Sequence, residues 1–328
     1  MVPVRGVCVL GLGLIGGSVL RAAVAAGRPA WGATASDEDE RAAIADGYQV
    51  LPTVADAVRR ADDADALIVL AVPLPAVDEL LREIAAVAPR CRLTDVVSVK
   101  RPVAQAVRRV LPHARYVGGH PMAGNSVSGW SAGSALLFQR AAWVVTTDDS
   151  DDVELWADVV RLALDCGSHV VPAEGAEHDA AVGRVSHLPH VMAAVLAAVA
   201  ADGGPLSLAL GAGSFRDGTR VAGSRPELVR AMCEGNRAGL MTALDDALGR
   251  LGAARGSLAS TGSLGATIVA GHRGRASFDQ LAATERDKLL IRLDAPDALT
   301  ELAELGRRGG RVVQLDGTTA LAEVPNPL

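Results

Sequence analysis

Lysine is almost absent from this chain of 328 residues, and large aromatic side chains are scarce. Lys100 and Lys288 are its only lysines, arginine supplies the remaining basic charge, and aromatic residues make up 3% of the sequence. The hydrophobic cores must therefore be built from alanine, valine and leucine. The net charge of −6 argues against non-specific nucleic-acid binding, which needs a basic surface that neutralises phosphates. We therefore expect no nucleic-acid partner.

Cysteine is also rare, and its spacing argues against two classes of protein. The four residues, Cys8, Cys91, Cys166 and Cys233, lie far apart, and no pair has the spacing of metal ligands. A secreted disulfide framework needs a denser set of cysteines than this. A reduced, cytoplasmic compartment is the simplest fit, and we expect no metal site.

The N-terminus lacks an uninterrupted membrane-spanning run, although residues 7–27 resemble one. The segment is nearly all apolar and follows Arg5, as a signal peptide or a membrane span would. Four glycines lie in its first half, however, and Arg21 lies within it. Glycines would weaken a spanning helix, whereas a phosphate-binding turn requires them. We therefore expect no association with a membrane.

The first part of the chain alternates short apolar runs with helix-compatible segments. Such alternation is typical of an α/β fold with a doubly wound, parallel Rossmann sheet. We assign residues 1–172 to this dinucleotide-binding domain, since a domain takes roughly 150 residues. The predicted strands are 6–10, 30–34, 66–71, 92–97, 115–117 and 142–147, and a helix at 153–166 and a strand at 169–171 complete the sheet.

The pattern changes after Pro172. Residues 173–285 show no alternation of strand and helix, and segments such as 185–201 and 226–251 are rich in alanine, leucine and valine. These segments predict an all-helical domain whose helices have broad apolar faces. So much apolar surface is expected to be buried against a second subunit, which predicts a homodimer.

Residues 286–328 change character again and form a short C-terminal extension. A strand at 289–293, a helix at 297–307 and a strand at 311–315 predict a βαβ unit. The unit resembles the first half of a regulatory ACT-type fold. The alternative is a small appended element that only packs against the rest of the chain.

A glycine pattern marks the first turn of the chain as a dinucleotide site. Gly11, Gly13 and Gly16 have the G-x-G-x-x-G spacing, directly after the first predicted strand and at the start of a helix. The first glycine permits the tight turn, the second lets the diphosphate approach the backbone, and the third lets helix and strand pack closely. The helix N-terminus supplies N–H donors and a positive dipole end. We therefore expect NAD or NADP as the cofactor.

The residue that contacts the adenosine ribose is harder to assign. A spacing of about 20 residues from the glycines selects Ser36 or Asp37, whereas the apolar strand ends closer to Thr34. We favour Thr34, with Asp37 opening the next helix. The carboxylate that would repel a 2′-phosphate is then missing, while Thr34 and Ser36 offer hydroxyl groups. The choice between NAD and NADP stays open.

Three later segments carry polar groups that a packed core does not need. Ser98 and Lys100 follow the fourth predicted strand, and His120 stands among glycines and a proline. Because strand ends in a doubly wound sheet face the ligand crevice, Ser98 and His120 are predicted to point toward the nicotinamide. The third segment, residues 214–220, places two arginines in a turn of the helical domain.

These segments resemble the bacterial prephenate dehydrogenase family, which also contains arogenate and cyclohexadienyl dehydrogenases. The matching pieces occur in the family's order over residues 11–220, about two-thirds of the chain. They are GLGLIGGS at 11–18, AVP at 71–73, TDVVSVK at 94–100, GGHPMAG at 118–124, SHLPH at 186–190 and FRDGTR at 215–220. The resemblance implies an NAD- or NADP-dependent oxidoreductase of tyrosine biosynthesis that converts prephenate into 4-hydroxyphenylpyruvate by oxidative decarboxylation.

The resemblance also implies roles for single residues. His120 would be the catalytic histidine that hydrogen-bonds the ring hydroxyl of the substrate, and Ser98 would hold the same hydroxyl. Arg220 would bind a substrate carboxylate, while His187 and His190 would line the pocket from the helical domain. An arginine fork suits a dianion such as prephenate, and a neutral imidazole can accept the hydroxyl proton. Further contacts to the cofactor would come from Leu14, Ile15, Val72 and Pro73.

Several positions depart from the family's usual pattern. Thr34 stands where many members have an acid, which leaves the cofactor preference open. Asn125 and Ser126, the expected pocket residues after the HPMAG segment, stand where many members have Thr or Ser and then Glu, so a pocket carboxylate is absent. Arg225 replaces the aspartate of the usual S-D-P turn, and Val229 replaces a frequent tryptophan. The substrate therefore stays open between prephenate, arogenate and an amino-substituted prephenate of specialised metabolism.

Two other classes of function compete with this prediction. A β-hydroxyacid or imine-reducing dehydrogenase has a similar two-domain plan, but the hydroxyacid group uses a lysine of its helical domain, and residues 174–283 contain none. A non-catalytic nucleotide-binding regulator would sense redox state or tyrosine through the tail. For single residues, the alternatives are a metal site at His187 and His190, a solvated Lys100, a surface ion pair for Arg220 and an ordinary structural role for His178.

Overall fold

Short, buried strands form a parallel sheet in the N-terminal part of the chain. The computed structural model describes residues 5–125, 127–149 and 151–326. The strands lie in the order β2-β1-β3-β4-β5, and neighbouring strands are parallel. The Rossmann class predicted from the sequence is thereby confirmed. The five strands are β1 (Val7–Leu10), β2 (Ala30–Ala33), β3 (Leu67–Leu70), β4 (Arg92–Asp95) and β5 (Arg115–Tyr116).

Helices cover both faces of this sheet. Alternate residues of β1 belong to separate cores: Val7 and Val9 pack into one, Cys8 and Leu10 into the other. Because both faces are covered, the strands read as continuous apolar runs. The N-terminal run that resembles a membrane span is therefore β1, a glycine turn and the first helix of a buried βαβ unit. The helices are α1 (Leu14–Ala25), α2 (Asp37–Ala45), α3 (Val54–Asp63), α4 (Val77–Val87) and α5 (Arg101–Val110).

The chain then leaves the parallel sheet and starts a second one. The new strands are β6 (Gly119–Pro121), β7 (Ala142–Thr146) and β8 (His169–Ala173), with helix α6 (Val153–Asp165) between the last two. The sequence correctly predicts β7 and β8 but not β6, and its assignment of β7 and β8 to the first sheet is wrong. β6 is antiparallel to β7, and β7 pairs with β8, so this ladder does not extend β5.

The helical region that follows leaves much of its apolar surface uncovered. The exposed residues include Val199, Leu206 and Phe278, at 65%, 73% and 64% of their full accessibility. The continuous run Gly175–Asp202 is the one segment of the described chain long and apolar enough to cross a membrane by length and composition. The elements are α7 (Gly175–Val182), a π-helical turn (Gly183–His187), α8 (Leu188–Asp202), α9 (Gly204–Ala209), α10 (Gly213–Thr219), α11 (Pro226–Gly235), α12 (Arg237–Thr261) and α13 (Gly265–Ala283).

The C-terminal extension returns to the second sheet. It forms β9 (Arg286–Arg292), α14 (Ala298–Arg307), β10 (Arg311–Asp316) and β11 (Thr319–Pro325). The predicted βαβ elements are present, and β11 is a further strand that the sequence analysis does not anticipate. β11 lies between β10 and β9, and β10 pairs with β8, which gives the order β6-β7-β8-β10-β11-β9. The extension thus completes the second sheet, whose other three strands, β6, β7 and β8, directly follow the parallel sheet in the chain.

Candidate active site

A crevice opens where the order of the parallel strands reverses, between β1 and β3. Ligands of open α/β sheets bind at this position, beyond the carboxyl ends of the strands. The cavity here has a volume of about 670 Å³. Its walls come from the turns after β1, β3 and β4, the start of α2, the segment from β6 onward, and the region around α11.

The glycine turn after β1 has the shape that a dinucleotide requires. Gly11 has a φ of +101°, and a Cβ at this position would lie 2.6 Å from the carbonyl oxygen of Ala71. A Cβ at Gly16 would collide with the carbonyl oxygen of Gly11, so helix α1 can approach the turn this closely only with glycine there. Gly13 lines the cavity, and a Cβ added to it would meet nothing within 4 Å. The turn therefore leaves an open cradle beside the N-terminus of α1, as a diphosphate needs.

The adenosine end of the crevice differs from the sequence prediction. Ser36 lines the cavity, and its hydroxyl caps α2 by accepting a hydrogen bond from the N–H of Asp39 at 3.2 Å. Thr34, favoured from the sequence, is half-buried and does not line the cavity. The expectation that a carboxylate is missing at the ribose position stays a prediction, but carboxylates do reach this part of the cavity wall. Because α2 begins directly after Ser36, its first turn brings Glu38 and Asp39 to the cavity wall.

Two predicted catalytic side chains meet at the other end of the same cavity. Ser98 follows β4, and His120 lies in β6, with 9% of its surface exposed. Both line the cavity together with Val72 and Pro73, which follow β3. The structure therefore brings a hydroxyl and an imidazole from different sheets into the crevice that holds the glycine turn.

A chain of hydrogen bonds extends from His120 into the protein interior. Nδ1 of His120 lies 2.8 Å from Nε2 of His178, and Nδ1 of His178 lies 2.9 Å from Oδ1 of Asp179. The same carboxylate accepts hydrogen bonds from the backbone N–H groups of Lys100, at 2.8 Å, and Arg101, at 3.0 Å. Helix α7 thus places His178 and Asp179 behind His120, and the first turn of α5 holds the carboxylate in place.

These contacts fix which nitrogen of His120 is a base. Burial raises the pKa of Asp179, but the hydrogen bonds from His178 and from the backbone of Lys100 and Arg101 outweigh burial and lower this pKa, so the carboxylate is ionised and accepts the Nδ1 proton of His178. Nε2 of His178 is then an acceptor for the Nδ1 proton of His120, which leaves the His120 Nε2 lone pair free. Burial, His178 and Lys100 hold the pKa of His120 well below 6.5, so the imidazole is neutral at pH 7. A neutral imidazole with a free Nε2 is a proton acceptor.

Lys100 is buried rather than solvated, which excludes the solvated alternative considered from the sequence. Only 1% of its surface is exposed, and Nζ donates to Oδ1 of Asp95 and to the carbonyl oxygen of Gly119, each at 2.5 Å. The hydroxyl of Tyr116 donates to the other carboxylate oxygen of Asp95 at 2.7 Å. This cluster anchors the residue directly before His120 and places a positive charge behind the imidazole.

The helical wall of the cavity carries a different arginine from the one predicted. Arg225 lines the cavity, and its Nη1 donates to Ser128 Oγ at 3.2 Å. It also pairs with the exposed Glu227 at 2.5 Å. Arg220 lies in the turn after α10, is exposed in the single chain and does not line the cavity. Its predicted role stays a prediction.

The two predicted pocket histidines lie beside the cavity rather than in its lining. His187 is fully buried; its Nδ1 accepts from Nδ2 of Asn236 at 3.0 Å, and its Nε2 has no partner among the described residues. Burial lowers the pKa of His187 to about 4. Nδ1 of His190 donates to the carbonyl oxygen of Ser186 at 2.9 Å. No group of three or more metal-ligating side chains occurs in the described part of the chain.

Two family models match most of this chain. The family model "Prephenate dehydrogenase, nucleotide-binding domain" matches residues 30–172, and "Prephenate dehydrogenase, dimerization domain" matches residues 174–261. The chain belongs to the prephenate dehydrogenase family. The family resemblance drawn from the ordered motifs is thereby confirmed.

Individual relatives agree with the family assignment. The prephenate dehydrogenase of Bacillus subtilis is 32% identical over 244 residues, which cover 72% of this chain and 65% of that enzyme. The cyclohexadienyl dehydrogenase of Zymomonas mobilis is 32% identical over 273 residues, which cover 79% of this chain and 90% of that enzyme. A crystal structure from Corynebacterium glutamicum, provisionally assigned as a prephenate dehydrogenase, superposes with a TM-score of 0.87 at 44% identity and covers 94% of this chain and 98% of that one. The chain thus spans just under two-thirds of the Bacillus relative.

Within this family fold, the predicted site residues fall into four groups. Gly11 and Gly16 shape the turn beneath the crevice, and Ser126 lies outside the described residues. Outside the cavity lining lie Thr34, His187, His190 and Arg220. The cavity is lined by Gly13, Leu14, Ile15, Ser36, Val72, Pro73, Ser98, His120 and Asn125.

Sequence reasoning missed His178 and Asp179. The sequence analysis assigns His178 an ordinary structural role and does not anticipate its 2.8 Å contact with His120. The pair lies within α7, the helix that directly follows β8, and the one local signal that could have found it is a polar His-Asp dipeptide in an otherwise alanine-rich and valine-rich helix.

Proposed function

We propose that this chain oxidises and decarboxylates prephenate to 4-hydroxyphenylpyruvate with NAD or NADP, as a step of tyrosine biosynthesis. One observation carries the proposal: the neutral imidazole of His120, with Nε2 free, lines the same cavity as Ser98 and the glycine turn. A hydroxyl, a base and a dinucleotide cradle in one crevice suit the removal of hydrogen from an alcohol carbon. The named activities of the family members support the same substrate class.

The residues present fit a dinucleotide at this crevice. Gly13 and the N-terminus of α1 would hold the diphosphate, while Val72 and Pro73 would contact the half that carries the nicotinamide. When bound, the cofactor accepts a hydride from the substrate. The chain's own groups must then orient the substrate and manage its hydroxyl proton.

His120 manages that proton. Its Nε2 accepts the proton of the ring hydroxyl as hydride leaves the same carbon, and the positive charge that develops is stabilised through His178 by the carboxylate of Asp179. Ser98 holds the hydroxyl oxygen and orients the ring. The bond to the ring carboxylate then breaks, carbon dioxide leaves, and its electron pair completes the aromatic ring. The proton returns to the phenolic oxygen, so the imidazole ends neutral.

One charged group of the cavity, the Arg225 guanidinium, suits an anionic substrate, although the carboxylates of Glu38 and Asp39 also line the cavity. Prephenate carries two carboxylates, and Arg225 is the one lysine or arginine among the described residues that line the cavity. Charge-assisted bonds to carboxylate are among the stronger contacts a protein makes. We retain Arg220 as a second proposed carboxylate ligand, and Asn125 and Ser126 as proposed pocket residues.

We further propose that the working form is a homodimer in a reduced, cytoplasmic compartment. The support for the dimer is the match to a family dimerization domain and the exposed apolar faces of the helices in that region. The support for the compartment is that all four cysteines are buried and unpaired.

A turnover assay tests the proposal. Prephenate and arogenate are each supplied with NAD+ and with NADP+, and reduced nicotinamide is followed by its near-ultraviolet absorbance. We expect turnover with prephenate and at least one cofactor. Turnover with arogenate alone would reassign the substrate, and no turnover in any of the four combinations, with dinucleotide still bound, would favour the non-catalytic regulator.

A further inference from the structure

The C-terminal extension packs against the end of β8 and the start of α7, the helix that carries the histidine and the aspartate behind the proposed base. Helix α14 of the extension lies beside β8. A Cβ added to Gly306 of α14 would lie 1.8 Å from the carbonyl oxygen of Pro172 in β8, so the two elements can approach this closely only with glycine there. Leu302 of α14 and Val170 of β8 belong to the same core. The extension therefore fixes the place from which the chain enters α7.

Arg307, the last residue of α14, binds both acids at the start of α7. Its Nη2 donates to Oε1 of Glu174 at 2.6 Å, and its Nε donates to Oε1 of Glu177 at 2.7 Å. Glu174 is the residue directly before α7, and Glu177 lies in the first turn. All three side chains are partly exposed, and a single pair of this kind stabilises a protein little. One planar guanidinium that binds two carboxylates, however, restricts the direction of the helix as well as its distance.

The two residues that follow Glu177 face the proposed base. His178 lies 2.8 Å from His120, and both His178 and Asp179 are almost fully buried. Because α7 has only eight residues, a displacement of its first turn also displaces these two side chains. Catalytic groups act within a narrow range of distance and angle, so such a displacement lowers the rate of the chemical step.

We propose that Arg307 is a positioning residue: by binding both acids, it lets the C-terminal extension hold α7 so that His178 stays within hydrogen-bond distance of His120. The extension then has a part in turnover, beyond the packing role and the tyrosine-sensing role considered from the sequence. The inference rests on the proposed function, because Arg307 acts through the proposed base.

Steady-state kinetics of Arg307→Met in the full chain test the inference. The variant keeps the aliphatic stem, and it should fold, because Oδ1 of Asp148 still accepts the first N–H of α7 at 2.8 Å. We expect kcat with prephenate to fall about fivefold to tenfold, since a displacement well below 1 Å costs less than the roughly 100-fold loss that a full 1 Å can cause. The KM for prephenate and the dinucleotide affinity should stay unchanged. Arg307→Lys keeps the charge without the planar fork and should recover part of the loss.

Arg292→Met is the matched control. Arg292 belongs to the same extension and pairs with Asp294 at 2.6 Å, so the variant removes an ion pair of the extension that does not involve α7. It should keep the wild-type kcat. An equal loss of kcat in Arg292→Met and Arg307→Met would reduce the effect to general loosening of the extension and would overturn the inference, as would a wild-type kcat in Arg307→Met.

A double-mutant cycle distinguishes positioning from general structural support. If Arg307 acts through the residues behind the base, adding Arg307→Met to Asp179→Asn should lower kcat by less than about twofold further. A double variant that shows the full product of the two single losses would contradict the inference.

Hydrogen exchange of the α7 amides, followed by mass spectrometry without substrate, gives a readout that does not need turnover. Exchange across α7 should be faster in Arg307→Met than in the wild type and unchanged in Arg292→Met, because the helix has lost an anchor in the first variant only. Unchanged exchange in Arg307→Met would overturn the inference whatever the kinetics show. A wild-type chain without turnover would remove the proposed function, whereas faster exchange in Arg307→Met would still support the anchoring of α7 by the extension.

Discussion

The two halves of this chain bury their surfaces in different ways. All four residues of β1 are at most 1% exposed, and both faces of its sheet carry a core. In α12, by contrast, only Leu240 and Ala243 are buried among 25 residues. The first half therefore has a complete interior, to which the C-terminal extension adds residues such as Ile291 and Val312, whereas the helical region leaves its apolar faces to be covered by another surface.

This difference divides the candidate site into two parts. The glycine turn, Ser98 and His120 belong to the self-contained half, and α7 supplies the His178–Asp179 pair where it packs against α5. These groups already lie together in a single chain. Arg220 belongs to the region that is still exposed, so its proposed role depends on assembly. The following experiments test that division.

The largest effect should come from the base itself. Replacing His120→Asn removes Nε2 from the cavity, and we expect kcat to fall by about 10²–10⁴, the usual contribution of a general base. Dinucleotide affinity, measured by titration without substrate, should change little because the glycine turn is untouched. His113→Asn is the matched control, since His113 is exposed and outside the cavity.

The pH dependence of the same reaction gives an independent check. Protonated His120 cannot accept a proton, so kcat/KM should fall on the acid side of its pKa. Because burial holds that pKa well below 6.5, the acid limb should lie below pH 6.5, with a plateau at neutral pH. A His120→Asn enzyme with wild-type turnover, or an acid limb above pH 6.5, would show that another group is the base.

A smaller effect is expected from Asp179, whose carboxylate is hydrogen-bonded to His178 behind the base. Asp179→Asn places an amide where two backbone N–H groups and His178 all donate, so at least one donor loses its acceptor. We expect kcat to fall by about 10-fold to 100-fold, less than the loss of the base, with KM for the substrate nearly unchanged. Steady-state kinetics measure both, and circular dichroism confirms folding.

The control for that substitution is Asp202→Asn, an exposed carboxylate at the end of α8. If Asp179→Asn altered only the melting temperature and left kcat intact, the carboxylate would be a cap for α5 and nothing more. Equal losses of kcat in both variants would also exclude a specific role for Asp179.

The parts of this site that the sequence predicts are those encoded locally. The spacing of Gly11, Gly13 and Gly16 specifies a turn, and a strand end places Ser98 at the crevice, so both are readable from a few neighbouring residues. The side chain of Asp179 contacts the backbone of Lys100, although most of a domain separates the two residues in the sequence. No local pattern predicts this contact. The start of α2 shows the same limit. The sequence places the end of β2 and the start of α2 only to within a few residues, and this uncertainty decides whether Thr34 or Glu38 is predicted to line the cavity.

The prediction of the fold from the sequence is limited in the same way. The sequence predicts strands at β7 and β8, because β-branched apolar runs mark strands wherever they pair. It does not specify the partner strand, which depends on the direction in which the chain enters β6 and on β10, more than a hundred residues later. Local patterns thus predict the elements, while the packing of distant segments determines which sheet they join.

The exposed helical faces give the next test. Val199→Glu introduces a charge on α8 at a valine that is 65% exposed in the single chain. If a second copy covers this face, the buried carboxylate should destabilise the dimer, and light scattering after gel filtration should show a monomer. Dinucleotide affinity should persist, since the glycine turn lies in the other half.

Val24→Glu is the matched control, because Val24 is 42% exposed on α1 in the self-contained half and carries the same substitution. It should leave the mass unchanged. A wild-type chain that is monomeric, or a Val199→Glu chain that is as dimeric as the wild type, would contradict the proposed covering of α8.

The smallest effect concerns the arginines of the helical region. Arg225→Gln removes the cation that lines the cavity, and we expect KM for prephenate to rise about tenfold, as the loss of one charge-assisted bond predicts, with kcat little changed. Arg216→Gln is the control, because Arg216 is exposed in the same arginine-bearing segment as Arg220.

Arg220→Gln then sharpens the comparison between the two halves. Arg220 is exposed and outside the single-chain cavity, so a comparable rise of KM in this variant would mean that dimer assembly brings it to a site. A wild-type KM for prephenate in Arg220→Gln would contradict the predicted role of Arg220. Arg225 would then remain as the proposed ligand of the substrate carboxylate. If Arg225→Gln also kept a wild-type KM, the helical wall would hold no substrate carboxylate, and selectivity for a dianion would have to come from the His120 side of the cavity.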